Sequence, residues 1–286
     1  MRPYSRVYAT VNLDAVASNM RSMRDNLPAS TLIMGSVKAD GYGHGSVPVA
    51  KTIEPYVFGY AVATIDEGII LRRHGINKTI LILGVTHESR YEDLLRYDIR
   101  TAMFQYEKAK KLSDLALKQG KKAVVHLALD TGMSRIGMKA DREHAKEAAA
   151  IAALEGIEVE GLFTHFARAD ETDKSAYEEQ YRRYKEFLGY LKELGVKIPI
   201  RHCSNSAGIV ESLESNHMDM VRAGIAIYGM YPSDEVDHNS VKLTPAMEIK
   251  SCITYIKEIE AGTAVSYGGT FVADHTMKVA TIPVGY

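Results

Sequence analysis

Between Thr31 and Arg222 the chain alternates short apolar runs with amphipathic segments, and this alternation limits the fold more than any other feature. The apolar runs are Thr31–Val37, Val57–Val62, Thr79–Gly84, Arg100–Met103, Val124–Leu129, Ile157–Phe163, Ile198–Cys203 and Met218–Arg222. Helices are expected between them, over Asp66–His74, Tyr106–Gln119, Arg142–Leu154 and Ala176–Leu194 among others. Gly75, Gly120 and Gly195 follow three of these directly, and glycine is favoured just past a helix end. An earlier helix is expected after Asn12, where Leu13, Val16, Met20, Met23 and Leu27 recur at three- and four-residue steps before Pro28. Continuous apolar strands alternating with helices imply a parallel sheet buried on both faces. About eight such units over a little more than roughly 200 residues suit a closed α/β barrel, the (β/α)8 TIM-type fold. The alternative, an open doubly wound sheet, lacks a G-x-G-x-x-G turn after its first strand.

The texture changes near Tyr231–Asn239, a polar stretch with Pro232 and no helical period. Beyond it Ala246–Glu260 and Thr276–Val284 read as strands, with Gly262 and Gly268–Gly269 as turns. The expected organisation is an N-terminal strand within 1–12 associated with a β-rich domain, a barrel over 13–238, and a β-rich C-terminal domain that starts at 239 and is still incomplete at 286. A strand-rich segment this short leaves unpaired edges and little core of its own.

Composition narrows the partners. Lys plus Arg (35) nearly cancels Asp plus Glu (36), so no basic surplus exists to neutralise a phosphate backbone, and nucleic acid is not an expected partner. The two cysteines, Cys203 and Cys252, make neither a disulfide framework nor a metal-type pair. No stretch is long and apolar enough for a signal peptide or a membrane span. A cytoplasmic protein without a membrane partner is the expectation.

A barrel enzyme works at the C-terminal ends of its strands and on the loops that follow. The unusual residues fall there. Lys38 follows the first strand in V-K-A-D-G-Y-G-H-G, Arg135 follows the fifth in D-T-G-M-S-R-I-G, and His165 follows the sixth in F-T-H-F. His202, Asn205 and Ser206 lie at and after the seventh in H-C-S-N-S-A-G, and Arg222, Gly224 and Ile225 lie at the eighth in V-R-A-G-I. Five separate segments therefore bring polar groups to one rim. A lysine at the end of an apolar strand is half desolvated, which favours the neutral amine that carbonyl chemistry needs. Asn205 and Ser206 suit simple N-capping of the next helix. Beside Gly224, and at the position where many barrels bind phosphate, they suit phosphate better.

These strings, together with V-S-Y-G-G-T-F around Tyr267, appear in the order found in the alanine racemase family, which the chain resembles from near its N-terminus to Tyr267. The resemblance implies a pyridoxal 5′-phosphate enzyme of fold type III, a barrel plus a β-domain, working as a head-to-tail homodimer with shared active sites on a small amino-acid substrate. It implies that Lys38 is the Schiff-base lysine and one catalytic base, and that Tyr267 is the opposing base, serving the partner subunit's site. Tyr42, Ser206, Gly224 and Ile225 would bind the phosphate, with His202 and Asn205 also beside the cofactor. Arg222 would face the pyridine nitrogen, His165 would link Tyr267 and Arg222, and Arg135 would lie near the substrate carboxylate. An arginine only donates hydrogen bonds. It leaves the ring nitrogen unprotonated and favours a carbanion that is reprotonated at once, which is racemisation. The implied role is D-alanine supply for peptidoglycan.

Two departures stand out. Many family members have a carbamylated lysine two residues before the Asp of D-T-G, where this chain has Ala128, so Arg135 lacks its usual partner. Family members also continue past Tyr286, so a truncated β-domain and a poorly active polypeptide are expected. The rival readings are a serine or broad-specificity racemase, a barrel decarboxylase with the same cofactor, and a non-catalytic cofactor-binding barrel. Arg222 and Tyr267 argue against the decarboxylase, and V-S-Y-G argues against a stand-alone barrel.

Overall fold

The computed structural model describes residues 6–285; the first five residues of the expected N-terminal strand segment, and Tyr286, lie outside the described residues. The chain opens with β1 (Val7–Val11) and α1 (Leu13–Asp25). Eight parallel strands follow: β2 (Leu32–Ser36), β3 (Gly59–Val62), β4 (Thr79–Ile82), β5 (Arg100–Met103), β6 (Ala123–Asp130), β7 (Ile157–Phe163), β8 (Ile200–His202) and β9 (Met220–Ala223). Each pairs with the next, and β9 returns to β2 with Met220 opposite Leu32 and Ala223 opposite Gly35. The sheet is a closed eight-stranded barrel in chain order, as the alternation predicts.

The near-continuous apolar strands have a physical cause. Ile33, Tyr60, Val62, Ile80 and Ile82 face the helices in the main core. Their neighbours Met34, Ala61, Leu81 and Met220 form a separate cluster. Successive side chains of a strand point to opposite faces, so a strand covered on both faces must be apolar at every position. Outside lie α2 (Ser46–Ile53), α3 (Ile65–Arg73), α4 (Tyr91–Tyr97), α5 (Tyr106–Lys118), α6 (Arg142–Ala152), α7 (Ser175–Glu193) and α8 (Ser206–Val210). After β9 a short 3-10 turn, Ile225–Tyr228, stands where an eighth outer helix would be.

The chain divides into two compact units. The larger runs from Leu13 to Ala246, past the expected barrel end at 238. Asn19 on α1 explains the extension: its side chain donates to the Thr244 carbonyl at 2.9 Å and accepts from the Thr244 N–H at 2.8 Å. The second unit joins β1 to the segment from Met247 onward. Val7–Val11 pairs antiparallel with β10 (Met247–Ser251), while β11 (Tyr255–Ile259) pairs with β14 (Met277–Thr281). The single strand expected over Ala246–Glu260 is therefore two, because its halves bond to different partners. Between them, β12 (Ala264–Val265) and β13 (Phe271–Val272) form a small hairpin. Among the described residues no helix is long and apolar enough to cross a membrane.

Candidate active site

Lys38 leaves the end of β2 on a tight left-handed turn. Ala39, Asp40, Gly41, Tyr42 and Gly43 all have positive φ, between 50° and 81°. Three of these are not glycine, and each such residue costs about 1–2 kcal/mol. The turn is held by other groups. The Ala39 N–H donates to Glu67 Oε1 at 2.8 Å, and Glu67 Oε2 accepts from the Ala63 N–H at 2.7 Å. The Ser46 N–H donates to Asp40 Oδ1 at 2.8 Å, and the buried Tyr228 hydroxyl donates to the Ser36 carbonyl at 2.9 Å. Lys38 is thus fixed at the rim, half-buried, with its Nζ 5.6 Å from the Tyr42 ring centre.

Two cavities of about 230 and 250 Å³ share Lys38, Leu83, His165 and Arg222 in their walls. The first adds Arg135, Met133 and Phe163; the second adds Ser36, Tyr42, Asn205, Ser206, Gly224 and Ile225. Of the barrel residues expected at a site, all but His202 meet around this space.

Arg222 is buried, and its guanidinium is enclosed by acceptors. Nη1 donates to His202 Nδ1 at 2.9 Å and to the His202 carbonyl at 3.0 Å. Nη2 donates to the Thr164 and Cys203 carbonyls at 2.6 and 3.0 Å and lies 3.3 Å from His165 Nδ1. Burial lowers the Arg222 pKa to about 10, which leaves it cationic at neutral pH. His165 is pushed down to about 3, first by burial and then by Arg222, Arg135 and Lys38. Its imidazole is therefore neutral. His202, expected beside the cofactor, does not line either cavity, and both its ring nitrogens bond within the protein, to Arg222 and to His126. It supports Arg222 from behind.

The loops carry their groups for local reasons. Asp130 Oδ1 accepts from the N–H groups of Gly132 and Ser134, both at 3.0 Å, and so shapes the turn that leads to Arg135. Ala128 is buried beside Ala102 and Phe163. Among the described residues no salt bridge holds the exposed Arg135. Asn205 caps α8 by accepting from the Gly208 N–H at 3.2 Å, and it also lines the cavity, so the capping and ligand-binding readings coexist. Ser206 Oγ accepts from the Gly224 and Ala226 N–H groups at 2.9 and 3.3 Å, leaving its own hydroxyl hydrogen to donate elsewhere. Nothing in the sequence singles out Gln180 on α7, whose amide donates to Thr131 Oγ1 and the His165 carbonyl at 3.2 Å each. Ser36 is a further wall residue; its polarity within an apolar strand was the available signal.

Comparison with known proteins decides the family. Residues 11–232 match the model for the alanine racemase N-terminal domain, and residues 246–286 match the model for the C-terminal domain. The chain belongs to the alanine racemase family. It is 42% identical to the alanine racemase of Desulforamulus reducens over 281 residues, which is 98% of this chain and 76% of that protein. It superposes on alanine racemase from Clostridium difficile 630 with a TM-score of 0.93 and 40% identity, covering all of this chain and 74% of the other. A histidine racemase from Leuconostoc mesenteroides shares the fold at 26% identity and a TM-score of 0.88, over 99% of this chain and 75% of that one. The chain is an amino-acid racemase, an isomerase. Tyr267 lies in the second compact unit, on a short 3-10 turn, and is 91% exposed.

Proposed function

We propose that the chain interconverts L-alanine and D-alanine with pyridoxal 5′-phosphate, using Lys38 and Tyr267 as acid–base groups on opposite faces of the substrate. One observation carries this reading. The cavity walls hold Lys38, Arg135, Arg222 and a neutral His165, and among the described residues they hold no carboxylate. Such a wall suits a ligand with a phosphate at one end and a substrate carboxylate at the other.

The residues present fit this cofactor. Ser36 Oγ is buried beside the cavity and has no hydrogen-bond partner among the described residues. A Cβ at Gly224 would lie 3.4 Å from the Tyr42 hydroxyl and 3.5 Å from Ser206 Oγ, so glycine keeps open the space those two hydroxyls border. Tyr42, Asn205, Ser206, Gly224 and Ile225 would hold the phosphate, and Lys38 would hold the aldehyde carbon. Arg222 would meet the pyridine nitrogen. When bound, the group supplies a carbonyl carbon for amine attachment and an aromatic ring that withdraws charge from Cα.

The chain supplies the rest. Arg222 donates hydrogen bonds only and has no proton to share at neutral pH, which favours rapid reprotonation over transamination or decarboxylation. Arg135 would orient the substrate carboxylate. Lys38 Nζ moves the Cα proton on one face and Tyr267 Oη on the other. In this reading Tyr267 serves the cavity of a partner subunit in a head-to-tail homodimer. The protein works in the cytoplasm, and its D-alanine goes to peptidoglycan.

The test is incubation of the purified chain with pyridoxal 5′-phosphate and alanine in deuterium oxide. A visible absorbance band and deuterium at Cα of both enantiomers are expected, and both should be lost in Lys38→Ala. Absence of both from the unaltered chain would overturn the proposal. Faster exchange with serine or histidine than with alanine would overturn the substrate assignment alone.

A further inference from the structure

Behind Arg222 a line of side chains runs away from the cavity, buried at His202 and His126 and half-buried at Glu160. His202 Nε2 lies 2.8 Å from His126 Nδ1, and His126 Nε2 lies 2.9 Å from Glu160 Oε2. Arg100 Nε is 3.5 Å from the same carboxylate oxygen. The two ends of this line dictate its polarity. An arginine has only donors and an ionised carboxylate only acceptors. Facing Arg222, His202 Nδ1 must accept, so its proton sits on Nε2 and is donated to His126 Nδ1. His126 then carries its own proton on Nε2 and donates it to Glu160. One tautomer per ring satisfies every link; reversing any link sets two donors face to face.

The backbone is built for this line. The pairing of β7 with β6 slips between Val125 and His126: Val125 lies opposite Val159, but His126 lies opposite Gly161. Glu160 is the extra residue of the bulge, and bulges re-aim side chains. A Cβ at Gly161 would collide with the His126 ring and with the Ile200 carbonyl, so only glycine leaves the ring its place. Burial holds both imidazoles neutral. Burial also raises the Glu160 pKa, but the His126 hydrogen bond and the Arg100 charge outweigh it and keep Glu160 ionised.

We propose that Glu160 and His126 are positioning residues for Arg222: Glu160 fixes the tautomers of both histidines and thereby the acceptor that Arg222 meets. The consequence for chemistry rests on the reading above, in which Arg222 faces the pyridine nitrogen. Without Glu160, His126 is free to carry its proton on Nδ1. His202 is then driven to its Nδ1–H form, a donor pointing at a donor, and Arg222 must shift or lose a bond.

Long-range proton–nitrogen NMR of the nitrogen-15-labelled full chain reads these tautomers directly, without cofactor. In the unaltered chain His126 and His202 should be Nε2–H only; an Nδ1–H form of either would overturn the proposal whatever the variants do. Glu160→Gln keeps an acceptor oxygen and should keep both tautomers. Glu160→Leu should give mixtures, and unchanged tautomers there would also sink the idea. A parallel titration with pyridoxal 5′-phosphate should show weaker binding by about tenfold, roughly one hydrogen bond, and a shifted visible band in Glu160→Leu. His126→Phe should do the same and serves if Glu160→Leu does not fold. If the unaltered chain binds no cofactor, the functional reading fails while the tautomers still decide the relay. If it binds cofactor, and the variants bind it with the same band and affinity, the link to Arg222 fails and the functional reading stands.

Discussion

The barrel unit and the β-rich unit treat apolar residues in opposite ways. In the barrel the strand side chains are covered on both faces, and Ile33, Tyr60, Ile80, Val125 and Leu162 are all buried. In the β-rich unit Ile249, Ile253, Tyr255, Ile256, Phe271, Val272 and Ile282 are each more than half exposed, while Ile259 and Ala273 are buried. Its strands form three separate two-stranded pairs, and such pairs are marginal alone in water. The groups that need fixed geometry, Lys38, Arg222 and His165, sit in the unit that supplies its own core. Tyr267 sits in the other. In the proposed reading, holding the cofactor and moving the second proton are therefore separable properties of this chain.

Lys38→Ala tests the self-contained side most severely. In the proposed reading it removes both the attachment point and one base, so Cα exchange should fall by more than about 10⁴-fold, beyond the usual span for a single general base. A loss below tenfold, measured by deuterium incorporation, would show that the cavity is not the reacting centre. Tyr267→Phe tests the separation itself. Racemisation should drop by about 10²- to 10⁴-fold, while the visible band and cofactor affinity stay unchanged. Weaker cofactor binding in Tyr267→Phe would break the comparison.

The same division governs what could be read from the sequence. The barrel strands and the rim segments around Lys38, Arg135, His165 and Arg222 were legible because burial on both faces forces continuous apolar runs, and function stands out at their ends. The turn after Lys38 was not legible, since the positive φ of Ala39, Asp40 and Tyr42 is held by Glu67, Ser46 and Tyr228 from elsewhere in the chain. The helix Ser46–Ile53 is short and has Pro48 in its first turn. Tyr91–Tyr97 is shorter still. The bonds of His202 to Arg222 and His126 were not legible either, because a strand residue's facing depends on register, which the motif does not encode. In the β-rich unit the alternation is weak because few faces are buried, so one expected strand proved to be two.

Stability should show the same contrast. Ile80→Ala, in the barrel core, should cost about 2–5 kcal/mol. Ile256→Ala, on the exposed face of β11, should stay within about 0.5 kcal/mol. Urea unfolding of the full chain measures both, and equal losses would mean that the β-rich unit is as well buried as the barrel.

The smallest effect is the pH dependence of the barrel's stability, and its sign follows from His165. An unfolded histidine takes up a proton below about pH 6.5, whereas His165 in the fold does so only near 3. Between those values the unfolded chain binds more protons, so stability rises with pH across the window and is lost as pH falls from 6.5 toward 3. One such group contributes a slope on the order of 1 kcal/mol per pH unit; the buried neutral His126 and His202 act in the same direction. Urea midpoints measured across this range should fall with pH, and His165→Asn should flatten part of the fall. An unchanged slope would mean that His165 is charged in the fold. That outcome would also remove its chemical use. In the proposed reading, a neutral His165 that accepts from Arg222 at Nδ1 keeps its proton on Nε2, ready to donate to the Tyr267 oxygen of a partner subunit.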